Sequence, residues 1–121
     1  MQFDGTHLLA DLFGCSGLDD MARIDRALRD AVEAAGATLL DIRLHGFGPG
    51  AGVTGVALLA ESHISIHTWP ERDYAAIDIF LCGHRHDLDA ALSVLATILA
   101  ADRVEQQRIT RGYASTSPAT A

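Results

Sequence analysis

The run Glu61-Ser62-His63-Ile64-Ser65-Ile66-His67-Thr68-Trp69-Pro70-Glu71 constrains the chain more than any other. Its residues alternate, so an extended segment puts His63, Ser65, His67 and Trp69 on one face and Ile64, Ile66 and Thr68 on the other. Packing imidazoles, a hydroxyl and an indole along one side of a strand costs desolvation that an ordinary strand avoids with Val or Leu. The polar side reads as a site and the apolar side as core. A second alternating run, residues 74–82, follows after Pro70 and ends before Gly83, with Tyr74, Ala76, Asp78, Phe80 and Cys82 on one face. The short connection, with Pro70 and Asp73, predicts an antiparallel hairpin whose polar faces lie side by side. That pairing is expected to bring His67, Asp78 and Cys82 together.

The rest of the chain supplies strands and two helices. Residues 6–13 read as a strand and residues 14–17 as a turn. Asp19 or Asp20 can cap a helix carrying Met21, Ile24, Leu28, Ala31, Val32 and Ala35 on one stripe, with Gly36 as its stop. Residues 38–44 and 53–60 read as strands joined by the glycine-rich loop 45–52, where the backbone can approach a ligand or another chain closely. After a turn at 83–86, Asp87 caps a second helix with Leu88, Ala91, Leu92, Leu95, Ile98 and Leu99 on one stripe. Residues 103–109 form a last, exposed strand. Many strands, few helices and short links predict an α+β two-layer sandwich: a mostly antiparallel sheet with both helices on one face. The domain is expected to span 1–112, followed by a disordered tail at 113–121 that is rich in Ser, Thr and Ala.

Composition narrows the function. With 121 residues the chain is expected to be a single domain. A net charge of -7 with only nine Lys and Arg argues against nucleic acid as a partner, since phosphate neutralisation needs clustered cations; it suits a cationic small molecule. Two cysteines, Cys15 and Cys82, make neither a disulfide framework nor a CxxC pair. No basic-then-apolar leader and no apolar run of membrane-spanning length is present, so a cytoplasmic protein without a membrane partner is expected.

The string from Glu61 to Glu71, followed by Tyr74-Ala-Ala-Ile-Asp-Ile-Phe-Leu-Cys-Gly83, closely resembles the signature of the prokaryotic S-adenosylmethionine decarboxylase proenzymes, and the likeness runs from His7 to Arg111-Gly112. Those are small pyruvoyl-dependent enzymes that cut themselves between a Glu and a Ser and assemble as dimers of processed protomers. The resemblance implies cleavage between Glu61 and Ser62, giving chains 1–61 and 62–121. Ser62 then becomes the pyruvoyl group, which takes the substrate amine as a Schiff base and draws off electrons as carbon dioxide leaves. It also makes His67 the proton carrier in processing and Cys82 the acid that protonates the substrate α-carbon. Phe47 becomes a contact for the adenine or sulfonium and Glu71 one for the ribose. The product would be the aminopropyl donor for polyamine (spermidine) synthesis. His7, Trp69 and Asp78 fall nearby without an assigned role. Thr54 stands where the family usually has a serine whose hydroxyl supports processing; the added methyl is expected to slow it. Loop 46–52 is one residue longer than usual, with Gly46 in place of a basic residue, and Arg72-Asp73 replaces the usual Tyr-Gly.

Other readings remain open at this level. Decarboxylation of ornithine or arginine fits the altered loop. An unprocessed regulatory relative would stay one chain, and a serine hydrolase would use Ser62, His67 and Asp78, although the Gly-x-Ser-x-Gly elbow is missing. Cys82 with His84 and His86 lacks a fourth ligand and sits in a turn, so no metal is assigned.

Overall fold

The computed structural model describes residues 4–113, and residues 114–121 of the expected tail lie outside the described residues. The elements are β1 (Asp4–Phe13), α1 (Met21–Ala35), β2 (Leu39–Gly46), β3 (Val53–Leu59), β4 (Ser62–Trp69), a 3-10 turn (Pro70–Arg72), β5 (Tyr74–Leu81), α2 (Leu88–Ile98) and β6 (Arg103–Gly112). The strands form a six-stranded antiparallel sheet in the order β2-β3-β4-β5-β1-β6. The expected α+β sandwich is therefore the observed one, with strand ends displaced by one to three residues. β1, read from residue 6, starts at Asp4, and β6, read to residue 109, continues to Gly112.

Both helices begin as their sequences dictate. The Asp20 carboxylate accepts the Arg23 backbone N–H at 3.1 Å, and that of Asp87 accepts the Ala90 N–H at 2.9 Å. Gly36 ends α1 in the left-handed region, φ 74°. Ile24, Ala27, Leu28, Ala31, Val32 and Ala35 of α1 join Leu88, Ala91, Leu92 and Leu95 of α2 in one core with Leu8, Leu12, Ile64, Ile66, Ile77, Ile79 and Leu81 of the sheet. Met21, expected on the buried stripe, is instead 40% exposed and lies beside Gly46, because the first turn of α1 overhangs the edge strand β2. Both cysteines are buried and free.

All core residues of the strands point to the helical side. The alternate positions carry His7, Leu9, Asp11 and Phe13 on β1, Tyr74, Ala76, Asp78 and Phe80 on β5, His63, Ser65, His67 and Trp69 on β4, and Thr54, Val56 and Leu58 on β3. Among the described residues no element covers this second face. Leu9, Leu58, Trp69 and Ile109 on it remain 40 to 49% exposed, and an apolar sheet surface of this extent invites a partner.

One buried hydroxyl pins the site-bearing strands to the rest. Thr68 is buried on the core side of β4; its Oγ1 accepts the Val53 N–H at 2.8 Å and donates to the Leu18 carbonyl at 2.7 Å. Gly52 just before β3 sits so close that a Cβ there would lie 2.1 Å from the Thr68 carbonyl oxygen, which fixes the end of loop 46–52 against β4. Replacing Thr68 with Val leaves the Val53 N–H and the Leu18 carbonyl without this partner. Thr68→Val is expected to lose about 1–3 kcal/mol in denaturant unfolding, while Thr68→Ser keeps most of the wild-type stability.

Candidate active site

β3 and β4 are joined by Ala60 and Glu61 alone, with Leu59 paired to Ser62. Glu61 is left-handed, φ 64°, a conformation that costs a residue with a Cβ about 1–2 kcal/mol. The Glu61–Ser62 bond thus leaves a strained, solvent-facing turn. The Glu61 carboxylate reaches the Arg85 guanidinium at 3.6 Å, across to the turn after β5. Cys82, buried, opens that turn, its carbonyl accepting the N–H groups of Arg85 and His86 at 3.1 and 3.0 Å. In the β4–β5 register His63 faces Phe80, so two residues further along β5 Cys82 comes level with Glu61. Ser62 and Cys82 share one end of the sheet.

His67 and Thr54 occupy the other end. They are paired across β3 and β4, with Thr54 Oγ1 and His67 Nδ1 3.2 Å apart. Phe47, in the loop that closes onto Gly52, is exposed, its ring packed edge-on to His45 at 4.6 Å between centroids. Glu71 is exposed in the 3-10 turn that follows β4. His67 stands five residues beyond Ser62 on a straight strand, a separation of about 17 Å, and the odd spacing turns the two side chains to opposite faces of the sheet. The candidate residues therefore form two groups in one protomer: Glu61, Ser62 and Cys82; and Thr54, His67, Phe47 and Glu71.

Asp78 joins neither. The connection between β4 and β5 places Trp69 opposite Tyr74, which sets Ala76 opposite His67 and Asp78 opposite Ser65. The Asp78 carboxylate pairs with His7 and with His63, the latter at 3.0 Å, and accepts the Ser65 hydroxyl at 3.3 Å. The expected meeting of His67, Asp78 and Cys82 does not occur, and the Ser62, His67, Asp78 arrangement of a hydrolase is not assembled. Strand spacing decides both: Ser62 and His67 stand five residues apart on β4, and Cys82 lies four residues beyond Asp78, just past the end of β5.

Two features are invisible in the local sequence. The Tyr74 hydroxyl donates to Asp11 at 2.6 Å while its ring stacks on Trp69, 5.3 Å between centroids. The signal for this pair is the neighbouring of β1 and β5, which are far apart in the chain. Asp73, which the resemblance sets against a glycine, adopts φ 51°, and its carbonyl accepts the Cys15 N–H at 2.9 Å. Asp is among the few residues with a side chain that tolerate this region, so the substitution preserves the turn.

The family model for S-adenosylmethionine decarboxylase matches residues 6–112. The chain belongs to the S-adenosylmethionine decarboxylase family. Its similarity to individual S-adenosylmethionine decarboxylase proenzymes is 44% identity over 108 residues for the one from Thermomicrobium roseum, covering 89% of this chain and 93% of that one, and 47% over 110 residues for the one from Methanococcus vannielii, covering 89% of each. The crystal structure of the adenosylmethionine decarboxylase from Aquifex aeolicus superposes with a TM-score of 0.82 at 37% identity, over 95% of this chain and 96% of that one. Within this decarboxylase family fold, the strained Glu61 and the two-ended disposition of the polar residues are the features on which a function has to be built.

The Tyr74–Asp11 contact has a pH signature. The hydrogen bond to the Asp11 carboxylate, with burial and the carboxylate charge behind it, raises the Tyr74 hydroxyl from its ordinary value near 10 to about 12. The folded form holds the proton more tightly, so the contribution to stability is complete below pH 10 and is lost as pH rises towards 12. Tyrosinate absorbance should show a late-titrating component that disappears in Tyr74→Phe, and the extra alkaline fall in melting temperature should disappear with it.

Proposed function

We propose that this chain is a self-cleaving S-adenosylmethionine decarboxylase that makes its pyruvoyl group from Ser62 and acts as a dimer of processed protomers. The observation that carries this reading is the Glu61–Ser62 bond, set at the tip of a two-residue turn behind a left-handed Glu61, in a chain of this family. A serine there fits the group it would become: it opens β4 directly after the turn, where cutting the chain leaves it as a new N-terminus.

Processing starts when the Ser62 hydroxyl attacks the Glu61 carbonyl, exchanging the amide for an ester and releasing the turn. Removal of the Ser62 α-proton then breaks the Cβ–O ester bond, releases the main-chain α-carboxylate of Glu61 as the new C-terminus and leaves an enamine, which takes up water, releases ammonia and becomes the keto group. His67, held by Thr54, is the proton carrier. When present, the pyruvoyl group supplies an electron-withdrawing carbonyl for a substrate amine. Cys82 delivers the proton to the substrate α-carbon, Phe47 offers its exposed ring to the adenine or the sulfonium, and Glu71 offers its carboxylate to the ribose hydroxyls. The product is the aminopropyl donor of polyamine synthesis. Family and relatives favour S-adenosylmethionine over ornithine or arginine as substrate.

The separation of about 17 Å within β4 supports a shared site: His67 of one protomer cannot serve Ser62 of the same protomer. Two copies related by a twofold axis across the uncovered face would bring the sheet end of each that carries Ser62 and Cys82 over the end of the other that carries Thr54, His67, Phe47 and Glu71.

Incubated wild-type protein should separate on a denaturing gel into chains 1–61 and 62–121, the second with the mass of a pyruvoyl terminus. Ser62→Ala should stay whole and inactive, and Thr54→Ala should process more slowly. A whole, fully active Ser62→Ala would overturn the reading. Cys82→Ala and Glu71→Ala are each expected to lose decarboxylation. Co-expressed, they should regain about a quarter of wild-type activity, because half of randomly paired dimers are mixed and each mixed dimer holds one intact site. No recovery would exclude the shared site.

A further inference from the structure

We propose that His7, His63 and Asp78 form a binding site for a divalent transition-metal ion on the uncovered face of the sheet. The three side chains come from three neighbouring strands, β1, β4 and β5. In the register His7 faces Phe80 and Phe80 faces His63, while Asp78 is two residues from Phe80 and so on the same face. The backbone ladder, not a flexible loop, sets the spacing.

Among the described residues these three are the group of His, Cys, Asp and Glu side chains whose ligand atoms converge, all within 4.8 Å of one another. Two ligands at about 2.0–2.2 Å from one ion can lie at most about 4.4 Å apart, so small side-chain rotations close the cluster on a cation. Each imidazole turns its Nε2 to a different oxygen of Asp78: His7 to Oδ1, and His63 to Oδ2 at 3.0 Å. Ser65 Oγ donates to Oδ2 at 3.3 Å, the kind of outer hydrogen bond that orients a ligating carboxylate. In the single chain the three side chains are 22, 37 and 28% exposed, so the carboxylate and both imidazoles are already partly withdrawn from water.

Two imidazoles and one carboxylate suit zinc, cobalt, nickel or ferrous iron; magnesium and calcium prefer oxygen ligands alone. The remaining positions would face the adjoining cavity of about 340 Å³, lined by His7, Ser65, His67 and Asp78, and water or a small anion can fill them. The Arg111 guanidinium lies 5.8 Å from the centre of the Phe80 ring on this face, while the Asp11 carboxylate on β1 is engaged by Tyr74. Binding replaces the two imidazole hydrogen bonds by two Nε2 lone pairs, so both rings carry their proton on Nδ1.

The test is calorimetric and spectroscopic titration of chelator-treated, processed protein with Co²⁺. One ion per chain is expected, with affinity reduced at least about tenfold in His7→Gln, His63→Gln and Asp78→Asn and unchanged in His84→Ala and His86→Ala. Absence of saturable binding, or unchanged affinity in both His7→Gln and His63→Gln, would overturn the site. Should those variants fail to fold, proton NMR of the unsubstituted Co²⁺-loaded protein decides: paramagnetically shifted ring protons from two histidines support the site, and from one or none refute it. The uncut Ser62→Ala chain should bind Co²⁺ like wild type, so the outcome does not depend on the self-processing reading.

Discussion

The pairing of β1 with β5 is the constraint on which the rest of the structure depends. β1 enters the sheet between β5 and β6, the two strands that flank α2 in the chain. Its inward residues Leu8, Ala10 and Leu12 complete the core beneath the helices. Its outward residues set the chemistry of the opposite face: His7 reaches Asp78, and Asp11 reaches Tyr74. A slip of one residue would turn Leu8 and Leu12 to solvent and both polar contacts into the core, so burial on one face enforces the arrangement on the other.

Local sequence carried much of this fold. The alternation in β4 and β5, the Asp20 and Asp87 caps and the Gly36 stop are short-range signals, and each names its element because backbone satisfaction is a local matter. The candidate residues Glu61, Ser62, His67 and Cys82 were singled out by the resemblance, which runs over two neighbouring strings, 61–71 and 74–83. Their separation was not legible there. Reading His67, Asp78 and Cys82 as neighbours took shared faces for contact, whereas contact across a hairpin depends on register, and register follows from how many residues turn the corner at 70–73. Met21 failed differently: its place on the helical stripe was right, but the stripe runs past the edge of the sheet it covers. Asp73 takes the left-handed backbone that the turn requires without being a glycine.

A small two-layer domain has one face to spare, and here that face holds the polar half of β4. Ser62 and His67 stand at opposite ends of the strand, so a twofold axis that exchanges the ends must pass near its middle. The middle is where Ser65 faces Asp78, with His63 and His7 beside them. On the proposed pairing, the two imidazole–carboxylate clusters would run from His63, directly after Ser62, to Asp78 opposite the middle of β4, next to the cavity that His67 also lines. Closing the apolar rim formed by Leu9, Leu58 and Ile109 would remove water from these clusters and strengthen whatever charge each holds. A negative carboxylate brought towards its own symmetry mate raises the electrostatic cost of pairing, and a cation held by two imidazoles at each Asp78 lowers it. Metal occupancy and assembly would then favour one another through the same three side chains, linking the centre of the face to the two ends where the chemistry takes place.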